Sequence, residues 1–520
     1  MKTAFSGNAK GLGWFALGLL GVFALALALR LWGIGFGLPF IYHPDEPRYV
    51  ISAQILFKTL DLNPRSLPDI SSSAFVYVIN ALAYVPYYLA GSAAGVFRSV
   101  GDVPFPMMLN MGVGQTNMPT TMLLGRLVTL VFSAGSIALV FMIGRRLLAS
   151  NAIGLVAAVM LAVSPTAVYH SRLVTPDTFV LFLVLLAFLG AVGIRQSARR
   201  RDYAMAGVAL GCLASAKISG VLILIPILIA HFQRRGLRGL LDPRLLGMAV
   251  ACAVAFAATT PYIFGDPVKV FNDVLREGRH YASGHAGMEG DTVAWYIGYL
   301  WQTEGPVSVL MVAEILRSLY RKSERTLFLA VFPIAYFVFI STFVVRNDRT
   351  LLPLLPFGFL LAASLLTDAA NFLKARTGSR LGIAGLFILT GLTLGAPLAR
   401  TVTTTATIAA VDSRETARVW IRDNLPAQSR IAFEAYSPYV DPKHFDVRPV
   451  GRIIDHPVSW YVENGVEYAV FGMWMFSRFY ADPERYAAEV AQYDVFFDSF
   501  ELMRKFNDGG YEVRIYRLKT

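Results

Sequence analysis

Much of what soluble chemistry relies on is scarce or missing in this sequence. The only two cysteines, Cys212 and Cys252, lie in apolar stretches with no histidine or acidic residue at ligand spacing, so neither a disulfide framework nor a zinc site is encoded. No glycine-rich loop of the phosphate-cradling kind occurs, which leaves nucleotide chemistry without a home. Internal repeats and low-complexity segments are also missing. Charged residues make up only 16%, against 55% hydrophobic residues and a mean hydropathy of +0.52, a balance that excludes an ordinary soluble protein and points to a multi-span membrane protein. The net charge of +12 does not indicate nucleic acid, because the basic residues come as short clusters between apolar runs and form no stripe with interleaved aromatics.

What is present is a succession of long apolar runs. Crossing a hydrocarbon core of roughly 30 Å takes about 20 apolar residues in a helix. Eleven candidate spans follow, some of them short: 14–34, 122–144, 152–170, 177–195, 203–216, 218–232, 245–262, 300–318, 326–345, 350–370 and 381–398. The first exceeds a signal-peptide core and has no small-residue cleavage site after it, so it is read as a retained span. If the spans alternate, the basic clusters at Lys2 and Lys10, Arg145 and Arg146, Arg195 to Arg201, Arg234 to Arg244, Arg317 to Arg325 and Lys374 to Arg380 all fall on one side. The positive-inside rule makes that side the cytoplasm and puts loops 35–121, 171–177, 263–299 and 346–349, with everything past residue 400, outside. The apolar stretch Phe75–Phe97 would invert this order if it crossed, so it is expected to form interfacial or re-entrant helices broken near Pro86.

Past Arg400 apolar and charged residues mix. Ser413 followed by Thr416–Asn424 reads as a capped helix, Arg430–Glu434, Val466–Phe471 and Tyr511–Leu518 read as strands, and Asp482–Phe506 as mostly helix. The expectation is a transmembrane domain over 1–400 and a small α/β domain over 401–520.

Four segments carry candidate chemistry. His43-Pro44-Asp45-Glu46-Pro47-Arg48-Tyr49 sets two carboxylates at the boundary just outside the first span, where a general base could meet a lipid-borne substrate; alternatively Asp45 simply caps a helix from about Pro47 to Thr59. Tyr169-His170-Ser171-Arg172-Leu173-Val174-Thr175-Pro176-Asp177 forms a tight turn on the same side, with Asp177 at a helix start, where it too could be a cap, and Arg172 as its ion partner or an interfacial anchor. Lys217, Arg126 at the opening of the second span, and Arg346 and Arg349 in Arg346-Asn347-Asp348-Arg349 bring cations to that face; singly each reads as a headgroup anchor, together beside carboxylates they suit a bound anion such as phosphate. Loop 263–299 holds His280, Tyr281 and His285 among glycines, in the manner of a substrate-contacting lid or a plain mobile connection; two histidines five apart do not make a metal site without acidic help.

In their order, spacing and shared face, Asp45-Glu46, Asp177 and Arg346-Asn347-Asp348-Arg349-Thr350-Leu351-Leu352-Pro353 resemble the GT-C glycosyltransferase superfamily, and more narrowly the protein O-mannosyltransferase and aminoarabinose transferase group, over residues 10–400. The resemblance implies an all-α polytopic membrane fold of about 11 transmembrane helices plus interfacial helices, carrying a small extracytoplasmic α/β C-terminal domain. It implies a polyprenyl-phosphate sugar donor and a protein, lipid or glycan acceptor. Asp45 would be the base, Glu46 its orienting neighbour and Asp177 an organiser of the site, while Lys217, Arg346 and Arg349 would hold the donor phosphate and Arg126 would match an arginine opening the second span. The β-trefoil insertion of the yeast-type enzymes has no counterpart here. The tail segment Ala417-Arg418-Val419-Trp420-Ile421-Arg422-Asp423-Asn424-Leu425-Pro426 looks like a motif of bacterial and archaeal relatives.

The chemistry expected is attack of an acceptor hydroxyl on the anomeric carbon, with inversion, polyprenyl phosphate leaving, and Asp45 raised in pKa by its apolar boundary. Cationic side chains would stabilise the leaving phosphate, so no cofactor is obligatory, although a divalent metal is compatible. The rival is a transporter or flippase for an anionic lipid-linked sugar. Paired broken halves and midplane charges would mark one, whereas these charges gather at one face, which favours an enzyme. Membrane lipids are the surroundings, no nucleic acid partner is expected, and the compartment is a cell membrane with the site and tail extracytoplasmic.

Overall fold

Backbone amides cannot be left unpaired in lipid, so an apolar run there must be helical. In the computed structural model, which describes residues 9–66, 73–104, 106–109, 113–116 and 119–518, each of the eleven apolar runs is helical, and six helical stretches, among them Pro119–Leu147, Pro176–Gln196 and Leu355–Thr377, are long and apolar enough by length and composition to cross a membrane. Two runs are interrupted, and two adjoining runs are parted, at one common end of the bundle. Ser164-Pro165 separates Asn151–Val163 from Pro165–His170, Lys217 separates Arg200–Ala216 from the Ile218–Ile223 turn and Leu224–Arg235, and the expected span 300–318 splits into Thr292–Glu304 and Pro306–Arg321 at Gly305. Gly305 takes φ +56, which a side chain disfavours, and Pro306 can start a helix because the first turn needs no donor there.

Small residues let helices approach closely. Gly207 and Gly211 on Arg200–Ala216 face Pro243–Thr259 so tightly that a Cβ on either would meet the Met248 or Cys252 carbonyl oxygen at 2.3 or 2.2 Å. At the other end of the bundle from the interruptions, Gln196 Nε2 donates to the Arg146 carbonyl (2.7 Å), Arg195 pairs with Glu324 (3.2 Å), and Arg317 bridges Glu314 (2.6 Å) and Asp368 (2.7 Å). The basic clusters at 145–146, 195 and 317 thus share one end.

The first large loop differs from expectation in one respect. Instead of breaking near Pro86, it carries a single helix, Ala74–Ala93, that continues through the proline. Losing one donor is tolerated because the flanking aromatics anchor the helix: Tyr77 packs on Tyr49 (5.8 Å between centroids) and Tyr84 on Phe57 (5.8 Å), both from the helix Glu46–Thr59. The chain returns through a short 3-10 turn, Val100–Asp102, with Gln54 Nε2 donating to the Pro104 carbonyl (2.7 Å) and Lys58 Nζ to that of Gly101 (3.1 Å). It then forms a small sheet in which β1 (Phe40–Ile41) pairs with β3 (Val113–Thr116), and β3 with β2 (Pro106–Leu109). By length and composition alone, Ala74–Ala93 is also one of the six stretches that could cross a membrane.

The last helix of the bundle, Ser379–Ala409, carries past residue 400. Asp412, rather than Ser413, caps the next helix, Ser413–Asn424, by accepting from the Arg414 amide. A five-stranded sheet follows, β4 (Arg430–Phe433), β5 (Asp446–Pro449), β6 (Tyr468–Gly472), β7 (Glu501–Phe506) and β8 (Val513–Arg517), in the order β5-β4-β6-β8-β7. β4 is parallel to β5 and β6, and β8 antiparallel to β6 and β7. Helix occupies only Ala487–Ser499 of the stretch expected to be mostly helical, and 501–506 is an edge strand. Its side chains are mostly exposed, so it carries no buried alternation to read; the same holds for the other edge strand, β5.

Candidate active site

The helix Glu46–Thr59 starts with Pro47 in its first turn, and Asp45 stands at its N-cap position, yet the Asp45 side chain makes no capping bond. It turns instead to Arg349, whose Nη1 donates to Asp45 Oδ2 at 2.5 Å, with both side chains about one quarter exposed. Asp177 behaves in the same way. It lies in the first turn of Pro176–Gln196, caps nothing, and accepts from Lys217 Nζ at 3.0 Å. Lys217 stands at the interruption after Arg200–Ala216, with its ammonium 5.6 Å from the centre of the Tyr281 ring. Helix capping therefore accounts for neither aspartate, and Asp177 takes Lys217, not Arg172, as its partner.

Glu46 has a different fate from its neighbour. Arg126 donates to it twice, Nε to Oε1 (3.0 Å) and Nη2 to Oε2 (2.8 Å), and both side chains are wholly buried. The Val174 amide adds a third bond at 3.1 Å, and Arg126 Nη1 holds the carbonyls of Ile34 (2.7 Å) and Phe36 (3.0 Å). This pair ties the exit of the first helix to the 171–175 turn. All three guanidinium nitrogens of Arg126 are thus occupied within the protein.

Asp348 joins the cluster. His170 Nε2 lies 3.3 Å from its Oδ2, Tyr299 Oη donates to the same oxygen at 3.3 Å, and Thr166 Oγ1 lies 3.1 Å from Tyr299 Oη. A cavity of about 460 Å³ opens over Asp45, His170, Asp348 and Arg349, and its far wall is Tyr436, Trp474 and Arg478 from the C-terminal unit.

Burial alone would raise the Asp45 carboxyl, but the guanidinium of Arg349, with His43 and Arg48, holds it well below the usual carboxylate range. The expected upward shift is thus reversed by an ion pair the sequence did not reveal. Asp348, likewise pushed up by burial, is brought down to about 2 by His170 and Arg349. Burial lowers the His43 imidazole despite the nearby Asp45 and Glu46.

Loop 263–299 is largely ordered as helix. Asp266 caps Pro267–Ser283 by accepting from the Lys269 amide, Gly284 ends it, and Thr292–Glu304 follows. The Asp-Pro start and glycine stop were legible signals. Tyr281 accepts at its carbonyl from the Val344 and Val345 amides (3.0 and 3.2 Å), which fastens this helix to the Arg346–Arg349 segment. The rings of His280 and His285 meet edge to face at 5.4 Å, and His285 Nε2 lies 3.5 Å from Arg478 Nη1. Among the described residues no three His, Cys, Asp or Glu side chains are grouped as metal ligands. Arg346 is held apart from Asp45: its amide donates to the Met288 carbonyl (2.9 Å) and its guanidinium packs on Gly290. The Gly287 amide donates to Tyr486 Oη (2.9 Å), and Glu289 accepts from the same hydroxyl, so the loop is clamped to the C-terminal unit.

Sequence reasoning did not single out His170, Asp348 or Tyr299 as site residues, though the first two stand within quoted motifs. Trp474 and Arg478 carried no signal, since they reach the cavity from a separate unit.

Residues 102–235 match the family model described as dolichyl-phosphate-mannose-protein mannosyltransferase. In structure the chain is similar over 98% of its length to 98% of ArnT from Cupriavidus metallidurans in the apo state, at 15% identity and a TM-score of 0.55. The undecaprenyl phosphate-bound structure of ArnT is similar over the same shares, at 14% identity and a TM-score of 0.53. The archaeal oligosaccharyltransferase AglB from Archaeoglobus fulgidus, solved with an inhibitory peptide and a dolichol-phosphate, is similar over 92% of this chain and 71% of its own, at 12% identity and a TM-score of 0.52. None of the curated proteins matches in sequence. The fold is the GT-C fold that the motif order suggested.

Proposed function

We propose that this protein is an integral membrane glycosyltransferase that moves a sugar from a polyprenyl-phosphate donor to an acceptor hydroxyl at the extracytoplasmic face, with inversion. The observation that carries the reading is the convergence of four separate segments: the Asp45–Arg349 pair lines the cavity, and the Asp177–Lys217 pair lies near enough for the charge of Asp177 to act on Arg349. Neither pair is saturated: Arg349 Nε and Asp177 Oδ2 have no protein partner. A donor phosphate entering here competes for Arg349 and Lys217, for which charge-assisted bonds to a doubly acceptor-rich anion are favourable.

That competition explains how a carboxylate held so low can act as a base. Once the phosphate draws Arg349 away, Asp45 keeps its burial and loses its main cationic partner, so its proton affinity rises in the loaded site. The acceptor oxygen then bonds to the anomeric carbon, the bond from that carbon to the phosphate oxygen breaks, and the acceptor proton passes to Asp45. Charge building on the departing polyprenyl phosphate is met by Lys217 and Arg349, which are worth more in a partly dry site than in water. Glu46 and Arg126 act as a positioning pair that fixes the two loops bearing Asp45 and Asp177. Tyr281 orients Lys217 from its ring face, Arg346 steadies the loop at Gly290, and His280 and His285 border the acceptor side.

The test is transfer by purified protein in detergent from radiolabelled polyprenyl-phosphate sugars to a crude acceptor extract, wild type against Asp45→Asn. Label that moves only with the wild type supports both the reaction and the base. No transfer across mannosyl, glucosyl, arabinosyl and aminoarabinosyl donors, with sugar-independent lipid binding, would favour a transporter instead.

A further inference from the structure

Among the described residues, Arg172 is a buried cation with neither a counter-ion nor a full set of acceptors. Arg172, in the turn after Pro165–His170, is 1% exposed. Its Nη2 donates to the Leu29 carbonyl and, at 2.8 Å, to Thr405 Oγ1, while Nε and Nη1 meet no protein acceptor. Two equally buried arginines are provided for. Arg126 has Glu46, and Arg30 spends its donors on Ser133 Oγ and the carbonyls of Ala26, Leu161 and Ala162. An ionised group buried without a partner is costly, and a protein that keeps one has a ligand or solvent to satisfy it.

The surroundings favour a ligand. Arg172 lines a cavity of about 290 Å³ between the C-terminal part of Ser379–Ala409 and the C-terminal unit. Arg414 stands in the same cavity, packed over the rings of Tyr511 (4.0 Å) and Tyr42 (4.1 Å) and paired with Asp412, which leaves Arg172 as the unneutralised charge. Tyr169 and Trp474 line both this cavity and the one over Asp45. The two cavities therefore adjoin through a shared wall of two aromatic rings.

We propose that this second cavity is an anion subsite of the acceptor: a carboxylate or phosphate group of the molecule whose hydroxyl reaches Asp45 docks against the Arg172 guanidinium. The subsite makes the enzyme select anionic acceptors over neutral ones, and it uses both units of the chain to do so. It rests on the transfer reading for the word acceptor, but the anion site itself does not.

The probe is inorganic phosphate, with acetate as the carboxylate arm, titrated against thermal unfolding of the full chain in detergent. Because phosphate can also occupy the Arg349 side, the titration is run in Arg349→Gln. A rise in midpoint that persists in Arg349→Gln and is weakened at least tenfold in half-saturation by adding Arg172→Gln supports the subsite. Thr405→Asp supplies a carboxylate where Arg172 already bonds, so it should remove the response without lowering the ligand-free midpoint, which guards against a variant that merely misfolds. A response lost completely in Arg349→Gln alone overturns the subsite and leaves the donor-phosphate reading intact. A response untouched by Arg349→Gln but lost in Thr405→Asp supports the subsite and overturns the donor-phosphate assignment. No response to either anion in any form overturns the subsite.

Discussion

The two ends of the helical bundle handle charge in opposite ways. At the end carrying the basic clusters, cations meet carboxylates near the surface, as where Arg317 bridges Glu314 and the half-exposed Asp368 and Arg195 meets the exposed Glu324. At the cavity end, ions are more buried and yet less completely matched: Asp177 Oδ2, Arg349 Nε and two nitrogens of Arg172 stand without partners. Folding alone does not favour the second arrangement, because an unsatisfied buried charge costs more than an exposed pair gains. Binding does favour it, since spare donors and acceptors are what a charged substrate needs. Glu46 and Arg126 sharpen the contrast, as a saturated pair within the unsaturated end.

That contrast can be broken experimentally. The largest effect expected is from Asp45→Asn, which should lower transfer by roughly 10²–10⁴-fold, the usual range for loss of a general base, with membrane insertion unchanged and a smaller loss of thermal midpoint than Glu46→Gln causes. An equal loss of stability would show that Asp45 belongs with the matched ions. Glu46→Gln should do the reverse and destabilise the protein by about 3–5 kcal/mol, because it strands a wholly buried Arg126. Replacing both partners with methionine should recover most of that stability, read as a denaturation midpoint in detergent. Arg349→Lys keeps the charge but loses the planar fork, so donor KM should rise about tenfold with a smaller change in kcat.

A buried carboxyl with no cation makes a third case. Glu434 in the C-terminal unit accepts from the Gly472 and Ile453 amides and from Tyr493 Oη, and burial pushes its carboxyl up to about 8. Between pH 4.5 and about 8 the folded form keeps a proton that the unfolded chain has released, so stability falls as pH rises through this window and levels above it. Chemical denaturation followed by Trp420, Trp460 and Trp474 fluorescence should show that slope, and Glu434→Gln should flatten it. The smallest effect is expected from Arg195→Gln: its partner Glu324 is 87% exposed, and neither activity nor midpoint should change measurably.

Much of this was legible without a structure. Apolar runs of spanning length placed the helices, and the basic clusters at 145–146, 195 and 317 do share one end, because lipid leaves few alternatives to a helix and charges stay out of its core. The carboxylates and cations of the site were visible for the same reason: polar residues next to apolar runs stand out. Their pairing was not visible. Asp177 had Arg172 five residues away as a plausible partner and takes Lys217, forty residues on. Asp45 could be read as a base or as a cap, and is held by Arg349, more than three hundred residues away.

Local pattern, then, determined that the chain is a polytopic helical membrane protein with an appended α/β unit and which charged residues lie at one face, since burial of backbone and apolar side chains is dictated by neighbours in sequence. Only the tertiary structure decided which carboxylate meets which cation, that Glu46 and Arg126 neutralise each other, that Arg172 is left unpaired, and that Trp474 and Arg478 close the cavity. The reason is the short reach of these interactions. An ion pair is made within about 3 Å, and which groups come that close depends on how helices distant in sequence pack against one another.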